Sequence, residues 1–382
     1  MEKRINILRP YKGISGLDTT LYYTINVLEN CGAKYKVLSA ESNNINDNIE
    51  YIPELKELFP NKINKKELSE KTLNKIVDCD TLLVFNFQRK ENIMAANQLN
   101  ALSKRPRIVN RIGNTLEKDD NIEFISKIAD LNYVISNLVE NDLINSEISR
   151  NKIFKMTPYF SVSLTYKSFT ACNRLRRKYE IKPNDIVFIY PTRFSSMYSP
   201  NSIYTRKGIL PALDIFLELS KYIPNIKLLI GGSDSQIRPI VEENKSKLFD
   251  YAKGKSVKTT QMKFIDYEDC KIPNFYDILK ISNFSFHINT EEIESFGLAA
   301  FESALAGNCL LTTNLLGGKY LLNNNENFVM LEPKNTSNCV KTIIYLIKSK
   351  KYELIAKKAR NILMNYTNYD RFSNEVLKVL SK

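Results

Sequence analysis

Short apolar runs alternate along the chain with stretches in which apolar residues recur every three or four positions. Residues 4–8 form the first run. A turn holding Gly13 and Gly16 follows, then a helical spacing through Leu21, Ile25 and Leu28, and a second strand at residues 35–38. Further strands are predicted at 81–86, 107–111 and 133–136, with helices at 95–102 and 122–129. The polar stretch 159–173 reads as a link between domains. Beyond it come strands at 185–190, 227–230 (ending in Gly231-Gly232), 284–288 and 309–312. Helices are predicted at 210–219, 272–281 and 298–306, and the tail is helical from Thr336, amphipathic over 369–380. This alternation predicts an α/β chain of two doubly wound, Rossmann-like parallel sheets facing across a cleft. The domains fall at 1–160 and 170–365, with 366–382 as a helix crossing back to the first. No repeat of solenoid period is present.

A length of 382 residues fits two cores better than one, and 43% hydrophobic with 25% charged residues describes a globular chain. No apolar stretch approaches the roughly 18 residues needed to span a bilayer. The opening residues read as a strand, not a signal peptide. Six cysteines without a CxxC pair suit reduced thiols in a cytoplasmic protein, and a single histidine, His287, excludes a histidine-based metal centre. The formal charge of +13 is uneven: residues 1–160 hold 23 basic and 21 acidic side chains, so the excess lies beyond them. Arg174, Arg176, Arg177 and Lys178 form its densest cluster. Such a balance favours a diphosphate, anionic lipid head groups or nucleic acid; a Lys/Asn-rich coding bias gives the same balance with no partner.

The chemistry concentrates in Glu294-Ser295-Phe296-Gly297-Leu298, followed by Ala299, Ala300, Glu302, Ala304, Ala306 and Gly307. The segment lies between a predicted strand and a helix opening near Gly297. A helix N-terminus presents unpaired N–H groups and the positive end of the dipole, and glycine lets an anion approach the backbone. Two turns of helix separate the start of the motif from Glu302, so one carboxylate can meet a sugar while the other accepts hydroxyl hydrogen bonds. No GxGxxG follows the first strand and no GxxxxGK[ST] occurs, which disfavours dinucleotide dehydrogenases and P-loop enzymes.

This segment resembles the E-x7-E signature of glycosyltransferase family 4, with F-G inside it and a small-residue helix ending in glycine. The resemblance implies a GT-B fold and a retaining, metal-independent hexosyltransferase using a nucleoside-diphosphate sugar, UDP favoured and GDP second, as co-substrate with no cofactor. It implies that Arg193 and Lys207 hold the donor diphosphate, with Arg206 able to take either role, since the connection 194–204 is longer than the family's. It places Gly16 in a glycine-containing loop facing the diphosphate, Gly231 at a strand end near the donor, and Ile265 in the segment cupping the base. Glu294 and Ser295 would orient the sugar and Glu302 the ribose; Phe296, Gly297 and Leu298 would supply N–H groups. Relatives carry a first-domain histidine that this chain lacks, leaving Arg111, Asn114 or His287 as sugar or acceptor contacts. Transfer would run through a front-face, oxocarbenium-like transition state with no enzyme nucleophile.

Two acceptor classes fit. One is a surface glycan or lipid-linked saccharide, the basic face resting on an anionic membrane. The other is hydroxymethylated DNA, since phage base glucosyltransferases share the fold. Outside the transferases stand a nucleotide-sugar epimerase, which needs more acid–base groups, and a non-catalytic sugar-nucleotide-binding partner subunit.

Overall fold

The computed structural model describes residues 3–9, 16–39, 48–58, 67–87, 92–113, 116, 120–165, 168–191, 208–231, 238–255, 261–270, 274–290 and 294–381. The chain divides into two units, Met1–Tyr159 with Asn368–Lys382, and Phe160–Thr367.

In the first unit the elements run β1 (Arg4–Arg9), α1 (Gly16–Asn30), β2 (Lys34–Ser39), β3 (Ile49–Tyr51), α2 (Glu70–Val77), β4 (Thr81–Phe85), α3 (Ile93–Ala101), β5 (Arg107–Arg111), β6 (Leu131–Val134), α4 (Asn137–Asn145) and β7 (Ile153–Lys155). The strands pair in parallel in the order β3-β2-β1-β4-β5-β6-β7. β4 and β6 are buried along their whole length, as interior strands of a parallel sheet are when helices cover both faces. The predicted strand at 133–136 in fact ends at Val134, because the Ser136 hydroxyl accepts from Leu138 N–H and caps α4. The predicted helix at 122–129 is present over 122–128, and Phe124–Ile128 is wound as a π-helical turn. The Asn132 amide donates to Ile125 O at 2.9 Å there, drawing a backbone carbonyl out of its regular ladder.

The second unit contains α5 (Phe169–Lys178), β8 (Ile186–Pro191), α6 (Ile209–Ser220), β9 (Ile226–Gly231), α7 (Arg238–Gly254), β10 (Met262–Phe264), α8 (Asn274–Lys280), β11 (Phe284–His287), α9 (Leu298–Leu305), β12 (Cys309–Thr312), β13 (Val329–Met330), α10 (Thr336–Lys348) and α11 (Lys351–Tyr366). Its parallel sheet runs β10-β9-β8-β11-β12-β13. The core centres on Phe188, whose ring stacks on Phe284 at 4.7 Å and meets Phe286 at 5.4 Å. The division between the units falls at Tyr159/Phe160, the start of the predicted link 159–173, and the rest of that stretch packs into the second unit. Phe160 and Leu164 are fully buried, the Phe160 ring stacks on Phe296 at 6.4 Å, and α5 begins at Phe169, capped by Ser168. A few large apolar side chains outweigh many small polar ones in deciding burial.

The last helix, α12 (Tyr369–Ser381), belongs with the first unit. Its Glu375 carboxylate accepts from Thr157 N–H at 2.7 Å, and Val379 O accepts from Arg107 at 2.6 Å. Tyr159 stacks on Phe372 at 5.5 Å.

Candidate functional site

In both sheets chain order reverses beside the first strand, between β1 and β4 and between β8 and β11. Carboxyl ends of strands at such a reversal leave a crevice where α/β proteins bind ligands. In the second unit β11 leads through Ile288 and Asn289 to the Glu294 segment, and the segment then opens α9.

Glu294 forms a parallel bridge with Leu316: its N–H donates to Leu315 O at 2.8 Å, and Gly317 N–H donates back to Glu294 O at 2.7 Å. Gly318 N–H donates to Phe296 O at 2.9 Å. The turn after β12 thus clasps the motif along its backbone. A Cβ on Gly317 would sit 2.3 Å from the carbonyl oxygens of both Glu294 and Ser295, so only glycine allows this approach. Gly297, at φ +91°, turns the chain into α9 in a left-handed conformation. Its carbonyl accepts from Ala300 N–H at 2.9 Å. The N–H groups of Leu298 and Ala299 precede the first intrahelical bond and have no acceptor within the helix.

The two glutamates occupy different environments. Glu294 is half-buried, and its negative charge, after burial, helps push the Tyr190 phenol at the end of β8 well above its usual range. The motif therefore borders the β8/β11 reversal. Glu302, 7% exposed, faces inward from α9. Burial raises its carboxyl to about 8, opposed by a long 3.5 Å hydrogen bond from the Tyr276 hydroxyl. Tyr276 lies on α8 beside Phe275, whose ring stands 3.2 Å from where a Gly231 Cβ would be. Ile265 packs over the same glycine, and its N–H donates to Ile230 O at 2.8 Å. α8 therefore joins the Gly231–Ile265 corner to the Glu302 carboxyl, bringing these donor-side candidates into one neighbourhood.

His287 ends β11. Its Nε2 is 2.8 Å from Ser285 Oγ and 3.4 Å from Ser303 Oγ, on the sheet face beneath α9. Gly16 begins α1 and Arg111 ends β5, both in the first unit. Arg193, Lys207 and Asn114 lie outside the described residues. The basic cluster on α5 is partly occupied: Lys178 pairs with Asp266 at 2.6 Å and Asp269 at 2.7 Å, and Arg176 donates to Lys182 O at 2.7 Å. Among the described residues no three His, Cys, Asp or Glu side chains converge as a metal ion would require, and no helix is long and apolar enough to cross a membrane.

Sequence reasoning missed Gly317, Gly318 and Tyr276. The Gly-Gly pair shortly after a predicted strand was the available signal for the first two; Tyr276 carries none beyond its place in a predicted helix.

Residues 173–362 match the family described as glycosyl transferases group 1. No curated protein matches the chain. The structure is similar to that of HepE from Anabaena in complex with UDP-glucose, with a TM-score of 0.76, 15% identity and 99% of each chain covered. A glycosyltransferase from Rickettsia africae gives a TM-score of 0.70 at 15% identity, covering 100% of this chain and 99% of that one. WaaG, a glycosyltransferase involved in lipopolysaccharide biosynthesis, gives 0.68 at 11% identity, covering 99% of this chain and 100% of its own. Residues 173–362 thus form a glycosyltransferase group 1 domain, within an α/β chain of two Rossmann-like parallel sheets whose structural neighbours are GT-B glycosyltransferases.

Proposed function

We propose that the chain is a retaining, metal-independent hexosyltransferase that moves a sugar from a nucleoside-diphosphate donor, UDP-linked by preference, to a hydroxyl of a surface glycan or lipid-linked saccharide. The observation that carries this reading is the open first turn of α9, set by Gly297 and held at the β8/β11 reversal with Glu294 beside it. Departure of a diphosphate builds negative charge, and N–H groups fixed in advance stabilise it without reorganising during the reaction. Those of Phe296, Gly297 and Leu298 take this role, with Arg193 and Lys207 adding charge. Glu294 and Ser295 orient the hexose. Glu302, with Tyr276 against it, meets the ribose hydroxyls, and backbone groups near Gly231 and Ile265 receive the base.

HepE was solved with UDP-glucose, which supports the donor class, and WaaG acts in lipopolysaccharide synthesis, which supports the acceptor class. Thermal unfolding without metal and with EDTA, against UDP, GDP, ADP and their sugars, tests the donor. A ligand at a hundred times its Kd adds about 2.7 kcal/mol, so one diphosphate should raise Tm clearly. No shift with any of them in a folded sample would sink the reading. The anomeric configuration of the first product, read by NMR, tests retention.

A further inference from the structure

Arginine is almost never fully buried unless it is paired, because taking a guanidinium out of water is costly. Arg111 breaks that rule. It ends β5 in the first unit and is only 3% exposed. Among the described residues it forms no ion pair: its hydrogen bond there is one from Nη2 to Thr20 Oγ1 at 3.5 Å, the outer limit for such a bond, and Nε has no partner. The group acting on it electrostatically is the phenol of Tyr133, itself buried and held neutral.

The guanidinium is also fixed in place. A Cβ on Gly113 would lie 2.1 Å from Nη1, so glycine there leaves the space the arginine fills. Gly113 N–H donates to Asn86 Oδ1 at 2.7 Å, and Arg111 O accepts from Asn86 N–H at 2.8 Å, locking the ends of β4 and β5 together. Thr20 stands in the second turn of α1, whose positive dipole end adds to the local potential and does nothing to neutralise it. A fixed buried cation, spare donors, a hydroxyl and a helix N-terminus converge at the carboxyl end of the sheet, where its strand order reverses close by.

We propose that this corner of the first unit is an oxyanion site, with Arg111 as the counter-charge and Thr20 as a hydroxyl partner, and that it takes a phosphate or carboxylate carried by the acceptor. The anion site stands on the first unit alone; its assignment to the acceptor rests on the glycosyltransferase reading. An acidic acceptor, such as a phosphorylated or uronic-acid-bearing sugar, is therefore the expected substrate class.

The test uses the full chain in chloride buffer, with inorganic phosphate or sodium acetate added at matched ionic strength, with and without saturating UDP. Either oxyanion should raise Tm by a few degrees beyond the chloride control, additively with UDP. Arg111→Met, which removes an unpaired buried charge while keeping its bulk, should unfold at a higher temperature than wild type in chloride and lose the oxyanion response. Should that variant fail to fold, Thr20→Val should keep the fold and weaken the response several-fold. The proposal is overturned by an absent response in wild type, by a response that Arg111→Met or Thr20→Val retains in full, or by one that UDP abolishes. A missing effect of UDP itself sinks the donor reading and leaves the phosphate arm to be judged on Arg111. In the transfer reaction phosphate should compete with the acceptor and not with the donor; competition with the donor alone rejects the acceptor assignment.

Discussion

Glu302 shows how one residue couples stability to pH and to ligand. Its carboxyl titrates near the ordinary value of 4.5 in the unfolded chain and near about 8 in the fold. Between those values the folded state holds the extra proton, so the contribution is intact below about pH 4.5 and is lost as pH rises towards 8. Each unit of such a shift is worth about 1.4 kcal/mol. Glu302→Gln should flatten this slope, leaving the ligand-free variant more stable than wild type at pH 8 by on the order of 4 kcal/mol. Nucleotide affinity should fall about tenfold in the same variant, as expected when a buried hydrogen-bonding group loses its partner. Denaturant melts at pH 5 and pH 8, with a UDP titration, check both; equal slopes in the two proteins would show that the carboxyl is not held neutral. Gly297→Ala tests the neighbouring turn. At φ +91° an alanine is strained, and its Cβ would lie 2.1 Å from Leu316 Cδ1. It should cost about 1–3 kcal/mol and most of the turnover, read by unfolding and by initial rates.

At the scale of elements, legibility followed the strength of the local pattern. The strand at 309–312 and the helix opening at Leu298 stand where periodicity put them, because long apolar runs and small-residue faces leave few alternatives. Short edge strands such as β3, β7 and β13 were not legible, since two or three residues carry no period and owe their form to a partner strand. α2 and α4 were hidden among Lys, Glu and Asn, yet each has a serine N-cap, Ser69 and Ser136, that marks its start. The same division holds at the site. Glu294 and Glu302 were readable as a spaced pair, whereas the Gly317-Gly318 pair signals a tight turn without showing that the turn meets the motif, a contact made between segments distant in sequence. Gly317→Ala is the test of that clasp: its Cβ would meet two backbone oxygens that cannot move as a side chain can. A loss of about 2–3 kcal/mol is expected, with donor binding weakened alongside stability. Normal UDP binding in a folded Gly317→Ala protein would show that the clasp does not position the motif.

At the scale of the whole molecule the chain order and the domain order differ, since α12 completes the unit formed by the first residues of the chain. Phe372, Val376, Val379 and Leu380 are buried in that unit. Burial of four such side chains contributes on the order of 6–10 kcal/mol, comparable with the entire stability of an ordinary domain. Their removal would also strip Thr157 N–H of the Glu375 carboxylate and Arg107 of the Val379 carbonyl. Each unit has its own apolar core, and the core around Phe188 contains no residue of α12. Deleting Asn368–Lys382 should therefore unfold the first unit at ambient temperature and leave the second with its own cooperative melt. UDP should still raise that remaining transition, because every described donor-side group of the second unit is retained, while transfer to any acceptor should cease. Calorimetry with and without UDP separates the outcomes. Loss of both transitions on deletion would mean that the second unit depends on α12 for its stability; a surviving transition that no longer answers to UDP would mean that donor binding needs the first unit folded.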